Sequence, residues 1–174
     1  MTSLHIEPAT PADVPMILQL IRELADFERL LHEVTATEAQ VHEGLFGRKP
    51  SAEVIMGRVQ PGGEVAGFAL FFHNFSTFLA KPGIYLEDLY VRQQFRGRGY
   101  GEELLRHLAK LALERNCGRL EWSVLDWNQR AIDFYKSLGA VPMNEWTMYR
   151  VTGPALVKLG SASASDPVDG SNRK

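Results

Sequence analysis

Apolar positions change their spacing several times along the chain, and each change marks an element. Residues 4–7 read as a short strand. Thr10-Pro11-Ala12-Asp13 then carries the marks of a helix start: a hydroxyl cap, a proline in the first turn and an acid behind it. Val14, Ile17, Leu18, Ile21 and Leu24 follow at intervals of three and four, which lays them on one helical face. Thr37-Glu38-Ala39-Gln40 is a capping box and predicts a second, shorter helix to about residue 45. Beyond it the period shortens. Residues 52–59, 65–75 and 84–91 read as strands, the first two joined by a turn at Pro61-Gly62-Gly63. Helical spacing returns over 102–115, with Leu104, Leu105, Leu108, Leu111 and Ala112 inward. Residues 119–125 predict a strand, 128–138 a helix stopped by Gly139, and 141–151 a closing hairpin interrupted by Pro142. The order β-α-α-β-β-β-α-β-α-β-β predicts an α/β domain around one sheet.

Composition narrows what such a domain does. The chain has 174 residues, enough for one domain with a real core. Lys and Arg total 19 against 21 Asp and Glu, a net charge of −2, which argues against a strongly basic nucleic-acid binder. The single Cys117 excludes an internal disulfide framework and a cysteine-rich zinc site. The five histidines are scattered, with no metal-ligand spacing, so no metal is expected. No apolar run approaches the ~20 residues of a membrane span, and the N-terminus lacks signal-peptide character; no membrane partner is expected, and the protein is expected in the cytoplasm. Residues 160–174 hold one large apolar side chain, Val168, and are expected to form a disordered polar tail behind a domain over 3–159.

The most informative stretch is Val91-Arg92-Gln93-Gln94-Phe95-Arg96-Gly97-Arg98-Gly99-Tyr100-Gly101-Glu102, which leaves a strand and enters a helix. Alternate glycines let the backbone approach a ligand, and exposed N–H groups at a helix start favour phosphate. Arg92, Arg96 and Arg98 add a local positive charge to an acidic chain. The spacing fits neither a dinucleotide fingerprint, whose third glycine falls one residue later, nor a P-loop, which needs Gly-Lys-Ser/Thr where Gly101-Glu102-Glu103 stands.

Arg96-Gly97-Arg98-Gly99-Tyr100-Gly101 fits the [QR]-x-x-G-x-[GA] motif of the GNAT superfamily of acetyl-coenzyme A-dependent N-acetyltransferases. Tyr85 to Val91 (YLEDLYV), Leu125 to Tyr135 (LDWNQRAIDFY) and Ile21 to Glu28 (IRELADFE) resemble its spermidine/spermine and thialysine acetyltransferase branch. The resemblance spans about residues 3–150. It implies a central mixed, mostly antiparallel sheet flanked by helices, acetyl-CoA as co-substrate, and a homodimer. It places the pyrophosphate on the amides of Gly97, Arg98, Gly99, Tyr100, Gly101 and Glu102, with Arg96 beside them. The pantetheine arm falls to the main chain of Leu89, Tyr90 and Val91, and Asn128, Gln129, Arg130 and Ala131 complete the cofactor cleft.

Acetyl transfer to an amine poses two proton problems. An aliphatic amine, with a pKa of about 10, arrives protonated and must lose a proton; the departing thiolate must gain one. Glu87 and Asp88 lie inside an apolar strand, where unpaired carboxylates are costly, and in a regular strand they face opposite sides unless a bulge intervenes. They read either as hydrogen-bonded structural acids or as a site; with the resemblance, Glu87 is the candidate base and Asp88 a contact for the substrate ammonium. Tyr135 reads either as a core residue of an amphipathic helix or as the acid; the resemblance assigns it the thiolate's proton. Phe27 and Glu28 match the family's substrate contacts. Polyamine enzymes of the branch carry an acid where Ser76 stands and Trp where Phe78 stands, so the substrate expected here is a compact amine, lysine-like or a short diamine, ahead of a long polyamine. A non-catalytic acyl-CoA-binding regulator and a protein-modifying acetyltransferase are the alternatives on the same fold.

Overall fold

Four strands in chain order build an antiparallel sheet, and a fifth joins its far edge in parallel. The structure is a computed structural model and describes residues 4–161. The chain divides into two compact units, Met1–Leu125 and Asp126–Lys174. The first carries β1 (His5–Pro8), α1 (Val14–Phe27), α2 (Glu38–Phe46), β2 (Glu53–Arg58), β3 (Val65–Ser76), β4 (Lys81–Val91), α3 (Tyr100–Glu114) and β5 (Leu120–Trp122). The sheet runs β1-β2-β3-β4-β5, antiparallel as far as β4, while β5 pairs with β4 in parallel after the α3 crossover. The mixed, mostly antiparallel sheet with flanking helices is the architecture the resemblance implied.

Period-two alternation along the strands sorts their side chains onto two faces. Val54, Met56, Phe68 and Tyr90 turn one way and meet Ile17, Leu20 and Leu24 of α1 in a single cluster, where Met56 and Phe68 are wholly buried. Ile55 and Ala69, one step out of phase, are buried on the opposite side, and α3, with Leu104 and Leu108 fully buried, packs against β3 and β4. Both helix starts read from sequence are realised: the Thr10 N–H and hydroxyl donate to Asp13 (2.8 Å each), and the Thr37 hydroxyl accepts from the Gln40 N–H (3.3 Å).

Gly67 of β3 sits opposite Val91, next to the strand end that leads into the glycine turn. A Cβ there would run into the Tyr90 carbonyl oxygen and stand 3.1 Å from the Val91 Cα. Both obstacles are backbone and cannot swing away. Gly67→Ala is therefore expected to lower stability by about 1–3 kcal/mol, read as a shifted urea midpoint at unchanged m-value; an unshifted midpoint would show that the two strands separate freely at this point.

The second unit departs from the sequence reading. It holds α4 (Gln129–Ser137) and α5 (Gly153–Ser161). The closing hairpin expected over 141–151 is not formed. A local turn closes with the Trp146 N–H on the Met143 carbonyl (3.2 Å), but its arms do not pair. Pro142 removes a ladder donor beside the turn, and a lone two-stranded hairpin is marginal in water. Helix α5 was not foreseen, although Pro154 in its first turn followed by Ala155 and Leu156 is a helix-start signal. Strand β5 is shorter than expected, and α3 starts at Tyr100, two residues early. Of the expected polar tail, Gly160 and Ser161 close α5, and the rest lies outside the described residues.

Candidate active site

The register of β4 decides how its two acids are presented. Leu70 pairs with Asp88 and Phe71 with Leu86, so Glu87 has no opposite number: it is the extra residue of a bulge. The strict alternation that would have sent Glu87 and Asp88 to opposite faces is broken at that point. Glu87 is exposed and Asp88 half-buried. Burial pushes the Asp88 carboxyl up to about 6, and the Glu87 and Glu28 carboxylates push it the same way. Glu28 ends α1 as its C-cap and is itself raised by burial. Three carboxylates from two distant stretches thus share one field, and a cation placed among them would be favoured.

The raised Asp88 has a measurable consequence. Unfolded aspartate ionises at about 3.9, so between about pH 4 and pH 6 the folded protein holds a proton that the unfolded chain has lost. Stability therefore falls as pH rises through that window and levels off above it. Asp88→Asn is expected to match the wild type near pH 4 and to exceed it at pH 7 by on the order of 2 kcal/mol. Denaturation curves at the two pH values test this; an equal difference at both would mean that Asp88 ionises normally.

Past Val91 the chain passes Arg92, a short turn at Gln93–Phe95, then Arg96 to Gly99, and enters α3 at Tyr100. Phe95 and Tyr100 are buried and pin the two ends, their ring centroids 6.5 Å apart. Gly97 (φ 79°) and Gly99 (φ 86°) are left-handed, a conformation that costs other residues about 1–2 kcal/mol. A Cβ on either would meet nothing within 4 Å, so the space in front of this backbone is open to a ligand. The first main-chain bond of α3 runs from the Glu103 N–H to the Gly99 carbonyl (3.0 Å), which leaves the amides of Gly97 to Glu102 ahead of the helical ladder. Such a row of donors at a positive helix end suits a pyrophosphate.

The three arginines of the turn separate into different roles. Arg92 faces inward, its Nε and Nη2 donating to Glu23 (3.0 and 2.8 Å) and its Nη1 to the Val65 carbonyl (3.3 Å). It is a tether to α1, which the sequence reading, counting it with the local positive charge, did not foresee. Arg96 donates from Nε to the Val91 carbonyl (3.0 Å) and lies against the rings of Phe27 and Tyr90. Arg98 is exposed, over the Phe95 ring.

One unit therefore brings together Phe27 and Glu28, Glu87 to Val91, and Arg96 to Glu102. The remaining candidates lie in the second unit, on α4. The Asn128 side chain accepts from the Ala131 N–H (3.3 Å) and caps the helix, Gln129 bonds Asp133 (2.7 Å), and Arg130 lies between them in sequence. Tyr135 follows one turn on, its ring centroid 5.4 Å from that of Phe134. Ser76, where the polyamine enzymes carry an acid, is buried and accepts the Leu79 N–H (3.3 Å), so it closes the β3–β4 hairpin.

A bulged strand with clustered acids thus runs into a glycine turn at a helix start. The chain belongs to the GNAT acetyltransferase family, whose model, described as "Acetyltransferase (GNAT) family", matches residues 17–140. It is 38% identical to the thialysine N-epsilon-acetyltransferase of Bos taurus, over 91% of this chain and 98% of that protein. It is 36% identical to the L-ornithine N5-acetyltransferase NATA1 of Arabidopsis thaliana, over 87% of this chain and 86% of that one. Among solved structures, an integron cassette protein from the mobile metagenome of V. cholerae superposes with a TM-score of 0.77 at 29% identity, covering 93% of this chain and 99% of its own. The protein is an N-acetyltransferase.

Proposed function

We propose that this enzyme moves the acetyl group of acetyl-CoA to the side-chain or terminal amine of a small molecule, an ornithine-, lysine- or thialysine-like amino acid or a short diamine, by direct transfer. The observation that carries this reading is the cluster of Glu28, Glu87 and Asp88 within the same unit as the glycine turn. An anion-binding backbone and a cation-binding acidic pocket are what an anionic acyl donor and a protonated amine require. The names of the thialysine and ornithine relatives support the amine class.

Acetyl-CoA supplies a thioester whose carbonyl is open to attack. The turn's amides hold its pyrophosphate, and the main chain of Leu89, Tyr90 and Val91 lines the pantetheine arm. The acceptor ammonium enters among the carboxylates and gives a proton to Glu87, directly or through water. The free amine then forms the new C–N bond as the C–S bond breaks, Tyr135 protonates the departing thiolate, and the extra proton on the acylated nitrogen returns the phenolate to phenol, directly or through water. A phenol suits that task, being protonated at neutral pH and of similar acidity to the thiol it serves. The family resemblance also assigns Asn128 to Ala131 to the cofactor, and it supports a homodimer.

A thiol-release assay with acetyl-CoA against thialysine, ornithine, lysine, putrescine, cadaverine, spermidine and a peptide amine tests the reading. Turnover of the amino acids or short diamines, with little on spermidine or the peptide, is expected. Release only with the peptide makes the chain a protein acetyltransferase, and CoA binding with no release from any amine makes it an acyl-CoA-binding regulator.

A further inference from the structure

Arg96 lies where three elements meet, and its side chain points back from the turn into the fold. Its guanidinium carbon stands 4.6 Å from the centroid of the Phe27 ring and 5.6 Å from that of Tyr90, while its Nε holds the Val91 carbonyl (3.0 Å). Phe27 is the last residue of α1 and precedes Glu28, one of the three acids. Tyr90 and Val91 end β4, two and three residues after Asp88. A single half-buried cation thus bridges the acidic, amine-facing side of the site and the backbone that would receive pyrophosphate.

We propose that Arg96 is a positioning residue that couples the two halves of the site, so that occupation of the glycine turn and the placement of Phe27-Glu28 favour one another. The inference rests on the reading that acetyl-CoA binds at this turn. Gly97 and Gly99 are exposed and conformationally permissive, so a ligand must order them, at a cost of about 1–2 kcal/mol per residue. Phe95 and Tyr100 fix the ends of the turn from within; Arg96, stacked on Phe27, fixes its entry to α1 as well. Removing the Phe27 ring frees the guanidinium, loosens the turn and raises the ordering cost. By reciprocity, whatever Phe27 lends to the turn, an occupied turn lends back to Phe27 and its neighbour Glu28.

The direct test is CoA binding, measured by calorimetry on the full chain, because it needs no acceptor and no turnover. Phe27→Leu is expected to weaken CoA about three- to tenfold, the scale of a partly buried cation–π contact. Phe27→Tyr, which keeps a ring for the guanidinium, is expected to stay within about twofold of the wild type. In an Arg96→Gln background, where the cation is gone, Phe27→Leu is expected to cost nothing further, because the contact that carried its effect is already lost. Melting curves confirm that each variant is folded. Unchanged CoA affinity in Phe27→Leu, or a loss that adds in full to that of Arg96→Gln, overturns the coupling. A wild type that binds no CoA overturns the donor reading itself, and this inference with it.

Discussion

Tyr135→Phe is expected to lower kcat by about 10²–10⁴-fold, the range of a lost general acid, with CoA affinity unchanged. The substitution removes one oxygen and keeps the ring, so the Phe134 neighbour at 5.4 Å and the capped start of α4 retain their packing. What it removes is the only proton the side chain can give. The thiolate must then leave unprotonated or wait for water, and the penalty falls on the bond-breaking step rather than on binding. The expected signature is a fall in kcat and kcat/KM together, at unchanged KM for the acyl donor. A second sign separates chemistry from damage: a more acidic acyl thiol, such as a thiophenyl ester, needs no proton to depart and is expected to recover most of the lost rate. A kcat within about threefold of the wild type would remove Tyr135 from the acid's role.

Most of the sheet was legible in the sequence because its signals are local. The capping boxes at Thr10 and Thr37, the leucines of α3 and the left-handed glycines at 97 and 99 each specify their own neighbourhood. The errors fall where structure depends on distant partners. Residues 141–151 have strand-like composition, yet a hairpin also requires two arms that bond, and Pro142 interrupts one of them. The bulge at Glu87 is a matter of register between β3 and β4, set by pairing across two strands, so the sequence posed it as a condition and the fold answered it. The arginines teach the same lesson. Three cations in seven residues read as one positive patch, but Glu23 of α1 claims Arg92 and Phe27 claims Arg96, and neither partner lies within sixty residues of the turn. Charge counts along a chain show how many cations stand near a ligand, not which of them are already engaged.

Glu87→Gln is expected to cut kcat/KM for the amine by about 10²-fold or more at pH 7, with most of the loss recovered as pH rises toward 10. The bulge gives the reason. As the unpaired residue of β4, Glu87 is exposed and held out of the ladder, whereas Asp88 is paired with Leu70 and half-buried. An exposed carboxylate can exchange protons with water on every turnover. Asp88, held in the ladder and away from water, exchanges protons with solvent less readily, but its charge lowers the energy of a cation beside it. The two substitutions should therefore differ in kind. Glu87→Gln leaves a bound ammonium with nowhere to send its proton, so the defect shrinks once the amine arrives already neutral, at pH values near its own pKa of about 10. Asp88→Asn removes attraction instead, raising the amine KM while kcat holds, and this KM defect fades near pH 10, where a neutral amine has no charge for Asp88 to attract. Rate profiles of both variants from pH 6 to 10 distinguish the roles. If Asp88→Asn lowered kcat and Glu87→Gln only raised the amine KM, the base and the ammonium contact would have to be exchanged, and the bulge would then serve to present Glu87 to the substrate's charge rather than to its proton.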